Sequence, residues 1–507
     1  MKNQNAQGMR TLIKGGWVVS YKGGAHCMDR DFEVAFEGDE VVYVGPKFDG
    51  HADTVIDAAG KLVCPGFIDT HVHTGHRASH RLITDAGRGE FFGQPFLEIS
   101  VPKEGTRIEG DVRYLRPDEA GAEEEIEFNA AFTVAEMLRN GITTFVEYGS
   151  QLRIQEALAK QCARLGVRGY LGPGYDSGRW VGDEHGRLKR ITDEAAGLRG
   201  MADAVKFIER MDGAEGGLIR GILVPRELET TSLAIMRRTR ELADEMKLPM
   251  ATHAAYNILE FHDIVREHRM TPIEVLDSLG MLRPTMNIGH GNFISDNPKL
   301  NYSGARDLKL MGEAGVSISH CAINIVRRAR ALDSWKKYAE AGVNIALGTD
   351  TYPRDLILNM RTASYHGKVM SSDYRAATAA DVFSAATLNG ARSLGRDDLG
   401  RIAKGSRADI IIVDLTGGDS LRMGPIRDPV KTLVECGVGN DVDTAIVAGK
   451  VRMQGGRIPG VDFAALRARA QANGEKIWAG WHQSDPLGRT ALQASPWSFC
   501  PACDRDE

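Results

Sequence analysis

Between residues 249 and 350, four short apolar segments each end in a residue able to bind a metal or move a proton. Residues 249–253 end in His253, 285–290 in His290, 316–320 in His320 and 344–350 in Asp350. The steps between these ends are 37, 30 and 30 residues. Such steps match a strand plus the long, usually helical crossover that returns the chain to a parallel neighbour. The rhythm continues upstream, with strand-like segments at 143–147, 167–172 and 218–224 and a first one ending at His71. Helical periodicity fills the gaps at 154–165, 232–246, 272–279 and 305–314. Eight strands separated by helices predict an α/β fold, a (β/α)8 TIM-like barrel over residues 62–395. A doubly wound open sheet is the alternative, and no Gly-rich phosphate loop follows the first strand to favour it.

The first strand, with Val63, Phe67 and Ile68 as its apolar residues, carries His71 and His73 at its end. Alternate side chains of an extended chain share a face, so both imidazoles point the same way. An isolated pair of this kind is usually a surface or core feature. Here it joins His253, His290, His320 and Asp350, and the ends of barrel strands converge on one mouth. Taken singly, His253 and His290 read as hydrogen-bonded core histidines, His320 as a strand end and Asp350 as a helix cap. Taken together, they read as a divalent-metal site. The expected ligands are His71, His73, His253 and Asp350, leaving one position for water.

Both ends of the chain have a different texture. Residues 11–60 show short strands at 12–19, 32–37, 41–44 and 55–57. Residues 401–456 repeat the pattern at 409–414, 444–447 and 451–453. We expect one small β-sandwich domain built from 1–61 and 396–460. A long insertion, 74–125, follows the ligand-bearing strand end and is a candidate lid. Within it His76 and His80 are candidate pocket residues, with loop packing as the plain alternative. The acidic run 123–127 reads as the first turn of a helix over 127–140. The tail 461–507 starts as a helix over 463–471 and continues through Trp478, Trp481, Trp497 and Phe499, which suits packing on the barrel or on another subunit. The basic run Arg327-Arg328-Ala329-Arg330 reads as a surface helix, or as the holder of an anionic substrate group.

Bulk properties exclude several classes. A net charge of −5 with 26% charged and 42% hydrophobic residues describes an ordinary soluble protein, not a nucleic-acid or membrane binder. No run reaches the roughly 18 apolar residues of a membrane span. Seven scattered cysteines and a polar N-terminus predict a cytoplasmic chain with reduced thiols. The lone Cys500-Pro501-Ala502-Cys503 could form half a zinc site, but it has no second pair nearby and reads rather as part of a disordered or packed tail.

The runs PGFIDTHVH, THAAY, IGHGN, SHC and LGTDT resemble the amidohydrolase superfamily, more narrowly the branch of cytosine deaminase, triazine hydrolases and phenylurea-type hydrolases. The likeness extends over nearly the whole chain, including Gly405–Asp414 and the turn at Gly449-Lys450. It implies one divalent metal ion per subunit, zinc by default with iron or another ion as alternatives, held by His71, His73, His253 and Asp350. It also implies a small-molecule substrate, a homo-oligomer, and contact of His290 with the substrate. Residues 218–224 hold no lysine to carboxylate, which disfavours a binuclear centre.

The departures carry more information about the reaction. Deaminating members carry HxxE, whereas this chain has His253-Ala254-Ala255-Tyr256, and the usual HCPxSN run reads His320-Cys321-Ala322-Ile323-Asn324. Tyrosine, with an ordinary pKa of ~10, is a poor substitute for a carboxylate. We therefore expect a mononuclear amidohydrolase acting on a small amide-, urea- or carbamate-like compound, with Asp350, His290, Tyr256 and His320 as catalytic residues. An aminohydrolase or dechlorinase of a triazine, pyrimidine or purine is the alternative, and a non-catalytic binding relative is the second.

Overall fold

The computed structural model describes residues 9–74, 77–85, 87, 95–98, 101, 122–183, 187–417, 421–485 and 487–499. Its long middle alternates parallel strands with helices, as the spacing requires. Four strands lie in the order Ile219–Gly221, Arg168–Leu171, Ile142–Glu147, Phe67–Val72, and four more in the order Met250–Ala254, Met286–His290, Ser317–His320, Asn344–Leu347. The two parallel sheets meet at both edges. Leu223 bridges Met250 and Glu227 bridges His253 on one side, while Val72 bridges Asp350 on the other. The helices start where local chemistry says they should: Ser232 accepts from the Ile235 amide, and Thr271 with Glu274 closes a capping box behind Pro272.

The terminal segments form two further sheets. One is ordered Glu40–Gly45, Glu33–Glu37, Arg10–Lys14, Thr54–Asp57; the other Lys450–Met453, Val442–Val447, Ile410–Asp414, Lys61–Pro65, Trp17–Lys22, Ala25–Arg30. In the second, Lys61–Pro65 from the N-terminal part pairs antiparallel with Ile410–Asp414 from the C-terminal part. Strict alternation buries both of its faces. Val18, Val63, Ile410, Ile412 and Ile446 join Ile13, Val34 and Phe36 of the first sheet in one cluster. Val19, Leu62, Cys64, Ile411 and Val413 belong to the large core on the other side.

Two strand boundaries differ from expectation for a physical reason. The stretch 12–19 is two strands, broken at Gly15 and Gly16 with φ of +78° and +85°. A Cβ on Gly16 would lie 2.4 Å from the Ala58 carbonyl oxygen. Val63 does not share the strand of Phe67 and Ile68. The chain changes sheets at Gly66, where a Cβ would sit 2.2 Å from Thr143 Oγ1. An antiparallel hairpin, Gly178–Gly182 with Leu188–Thr192, was not expected. The tail helix is longer than predicted, Phe463–Ala479. Its Trp478 indole donates to the Ala78 carbonyl at 2.9 Å and Trp481 packs with Leu82, whereas Trp497 and Phe499 are exposed. Most of the expected lid and the Cys500/Cys503 pair lie outside the described residues. Among the described residues no helix is long and apolar enough to cross a membrane.

One buried ion pair ties the terminal sheets to the middle. Arg168, on a parallel strand, holds both oxygens of Asp409 at 2.6 and 3.1 Å, and Asp409 also accepts from the Ala448 amide at 2.8 Å. Removing one partner leaves a buried guanidinium uncompensated. Asp409→Ala should therefore lower unfolding free energy by about 3–5 kcal/mol, read as a shifted midpoint in denaturant titration.

Candidate metal centre

The end of the strand Phe67–Val72 and the segment after Asn344–Leu347 are stitched together by backbone. The Asp350 amide donates to the His71 carbonyl at 2.7 Å, and the His73 amide donates to the Asp350 carbonyl at 2.8 Å. Behind them the buried Asp69 carboxyl accepts from Thr349 Oγ1 at 2.5 Å and from the Thr349 amide at 2.9 Å, and burial raises it to about 6. This pins the two chain segments at the level of their side chains. His71 Nε2 lies 3.2 Å from His73 Nε2, which lies 3.2 Å from His253 Nε2. Asp350 Oδ1 is 3.6 Å from His73 Nε2 and 4.0 Å from His71 Nε2.

These residues fit a divalent ion. Two nitrogens each about 2.0–2.1 Å from one zinc at a tetrahedral angle lie about 3.3–3.4 Å apart, close to the observed spacing. Burial, aided by the neighbouring histidines, holds His71 well below the ordinary histidine range, so its imidazole is in the neutral, ligating form. His253 Nδ1 is 2.7 Å from the Arg226 carbonyl, an acceptor that places the ring proton on Nδ1 and leaves the Nε2 lone pair free. Tyr148 stacks on His71 at 3.7 Å between ring centres and donates to the Asn287 carbonyl, fixing the ring plane.

Asp350 uses its two oxygens differently. Oδ1 faces the ligand imidazoles, whereas Oδ2 lies 3.6 Å from His290 Nε2 and accepts from Asn324 Nδ2. Asn324 Oδ1 in turn accepts from Arg328 at 3.0 Å. Burial pushes the Asp350 carboxyl up, against the pull of Arg328, His253 and the Asn324 bond. Burial, then the His253 and Arg328 charges, lowers His290 well below its usual range. The backbone is left-handed at His290 (φ +78°), Asp350 (+59°) and Ala255 (+52°), each costing about 1–3 kcal/mol and clustered at this one site.

A cavity of about 210 Å³ opens beside these groups, lined by His73, His253, His290, Asp350 and Tyr256 among others. The Tyr256 hydroxyl is 2.6 Å from Glu229 Oε1, and Glu229 Oε2 is buried without a hydrogen-bond partner. Burial, with Glu260 and Glu227 adding, raises Glu229 well above the usual carboxylate range despite the Tyr256 bond. Burial and then Glu229 raise Tyr256 as well, so the pair stays protonated. Glu260 accepts from the Ala255 and Tyr256 amides, both at 2.7 Å, and burial raises it to about 7.

Residues 62–452 match the model of the amidohydrolase family. The chain belongs to that family. It is 30% identical over 450 residues to a 5-methylthioadenosine/S-adenosylhomocysteine deaminase of Thermococcus onnurineus (strain NA1), covering 88% of this chain and 94% of the relative. Among solved structures, an adenosine deaminase from Xanthomonas campestris with bound zinc aligns with a TM-score of 0.76 at 23% identity, over 93% of this chain and 99% of that one. A triazine hydrolase from Arthrobacter aurescens aligns with a TM-score of 0.74 at 20% identity, over 92% and 99%. This amidohydrolase is accordingly a metal-dependent hydrolase acting on carbon–nitrogen bonds.

The sequence-expected residues of this amidohydrolase converge with one exception. His71, His73, His253, His290 and Asp350 cluster, and all but His71 line the cavity together with Tyr256, whereas His320 belongs to neither the cluster nor the lining. Its ring packs edge-on against Trp335, and burial, with His366 adding, lowers it to about 3. The reason is period-two alternation: Ser319 points inward to Asn287 and Thr70, so His320 faces the helices. His80 lines the cavity, whereas His76 lies outside the described residues. Sequence reasoning missed Tyr148, Glu229 and the orienting role of Asn324. Only Asn324 carried a signal, standing in the altered HCPxSN run. Asn324→Ala should weaken metal affinity or activity by about 10–100-fold, measured by competitive metal chelation and by steady-state rates.

Proposed function

We propose that this amidohydrolase is a mononuclear enzyme that hydrolyses the C–N bond of a small amide-, urea- or carbamate-like compound. In this reading His71, His73, His253 and Asp350 hold one divalent ion, by default zinc. The eight parallel strands close into a (β/α)8 barrel spanning 62–395, with a small β-sandwich built from 1–61 and 396–460. When bound, such an ion supplies Lewis acidity, which brings water ionisation near neutral pH.

The protein's own groups divide the remaining work. Asp350 Oδ2, placed between His290 and Asn324, accepts the proton of the attacking water and returns it to the leaving nitrogen. His290 and Tyr256, with rings 6.4 Å apart, face the carbonyl oxygen and stabilise the charge developing on it. The observation that carries the reading is the Tyr256–Glu229 bond. The Tyr256 hydroxyl donates to Glu229 Oε1 at 2.6 Å, and turning that O–H from the buried, protonated carboxyl towards the cavity supplies an oxyanion with a neutral donor. The chain thus presents a neutral O–H donor where deaminases of the family hold a carboxylate. A tetrahedral oxyanion formed from an acyl carbon suits that donor.

A second reading is an aminohydrolase of a nitrogen heterocycle, favoured by relatives named as deaminases at 30% identity over nearly their full length. In it, Glu229 feeds a proton through Tyr256 to a ring nitrogen. Product analysis separates the two. A panel of anilides, phenylureas, carbamates, aminated purines and aminotriazines should yield amine and carboxylate or carbamate products. Free ammonia from the heterocycles would establish the second reading instead. Tyr256→Phe should lower kcat by about 10²–10⁴-fold with the metal retained, and an unchanged rate would remove Tyr256 from the mechanism. Asp350→Asn should cost turnover at least as much.

A further inference from the structure

The arginines of the run 327–330 do not behave as a solvated helix face. The helix Ala322–Val326 ends before them, and Ala329 takes a left-handed conformation, φ +53°. That turn separates their fates. Arg327 stacks 3.9 Å over the Tyr352 ring and donates to the Tyr352 carbonyl at 2.9 Å. Arg328 and Arg330, two residues apart, both line the cavity beside the metal centre.

Among the described residues that line the cavity, arginines outnumber carboxylates. Arg179 and Arg226 line it too, against the carboxylates Asp176, Glu227 and Asp350. Asp176 is taken by Arg226 at 3.3 Å, and Asp350 faces the ligand imidazoles and Asn324. Glu227 is left, with one oxygen accepting from Thr230 at 3.0 Å. Arg330 makes no ion pair among the described residues. Its contacts are the Tyr256 carbonyl at 3.5 Å and the Phe293 ring at 5.9 Å. A partly buried guanidinium without a counter-charge is costly to the free protein. The cost is recovered when an anion arrives, because the planar fork of arginine matches a carboxylate or phosphate with two parallel hydrogen bonds. Burial lowers the Arg330 pKa, with Tyr256 acting against it.

We infer that the cavity selects substrates bearing an oxyanionic substituent, carboxylate or phosphate, which Arg330 holds with Arg328 beside it. The inference rests on the hydrolase reading for the role of the site and names the substrate class. Tyr148, Tyr256 and Trp180 line the same cavity, so the body of the compound is apolar or aromatic. Arg328 also donates to Asn324, which donates to Asp350, so the anion settles at the end of the chain of bonds that orients the proton acceptor.

Equilibrium binding to the metal-loaded full-length protein tests this without turnover. Benzoate, phenyl phosphate and neutral benzamide are titrated by calorimetry into the wild type, R330Q and R330K. At least one anion should bind tenfold or more tightly than benzamide, and the stronger one identifies the substituent. R330Q should weaken that anion at least tenfold with metal content and Tm unchanged, while R330K keeps most of the affinity. Absence of anion preference in the wild type overturns the inference without recourse to any variant. So does anion binding that survives in R330Q, which would put the anion on the metal. A protein that binds benzoate through Arg330 but hydrolyses nothing in the panel leaves this inference standing and removes the hydrolase reading alone.

Discussion

Two backbone hydrogen bonds, from Asp350 to His71 and from His73 to Asp350, hold together segments nearly 280 residues apart in sequence. Everything at the site depends on that seam. It brings the first parallel sheet against the second, and it delivers the imidazoles of His71 and His73 to the Asp350 carboxylate in one register. The Asp69–Thr349 bonds beneath it make the register unique, because a slip of one residue would turn every ligand away from the site. The price is a left-handed Asp350, tolerable for a short polar side chain and stabilised by the contacts on either side.

The second constraint is where the protein keeps its spare proton. A carboxylate at position 256 would lie directly in the cavity and ionise according to its exposure. Here the carboxyl is withdrawn to Glu229, behind Tyr256, where burial keeps it protonated and Glu227 and Glu260 reinforce that state. The group facing the cavity is then a neutral hydroxyl. A hydroxyl in that place can donate a hydrogen bond, whereas an ionised carboxylate only accepts. Position +3 from His253 is a tyrosine, and the carboxyl it is bonded to comes from another element.

The spacing of His253, His290 and Asp350 and the pair His71/His73 made the parallel sheets and the metal centre legible, because strand period and crossover length dictate which side chains meet. The same logic failed at His320. Its sequence position matched the others, but the inward face of that strand is set by Ser319, whose bonds to Asn287 and Thr70 decide the alternation. Glu229 was invisible for a different reason. It follows the strand Ile219–Gly221 in an irregular stretch, and nothing in one-dimensional spacing couples it to Tyr256, 27 residues on. Gly66 was likewise unreadable as a sheet boundary, since its need for glycine comes from Thr143 across the core.

The arginine run shows how far such coupling extends. From its sequence alone it suited a surface helix or the holder of an anionic group, and the structure puts Arg328 and Arg330 in the cavity wall, beside the turn at Ala329. Arg328 donates to Asn324 and Asn324 donates to Asp350 Oδ2, so a displacement of Arg328 reaches the Asp350 carboxylate through two hydrogen bonds. Arg328, Asn324 and Asp350 thus form one chain of side chains that runs from the cavity wall to the His/Asp cluster.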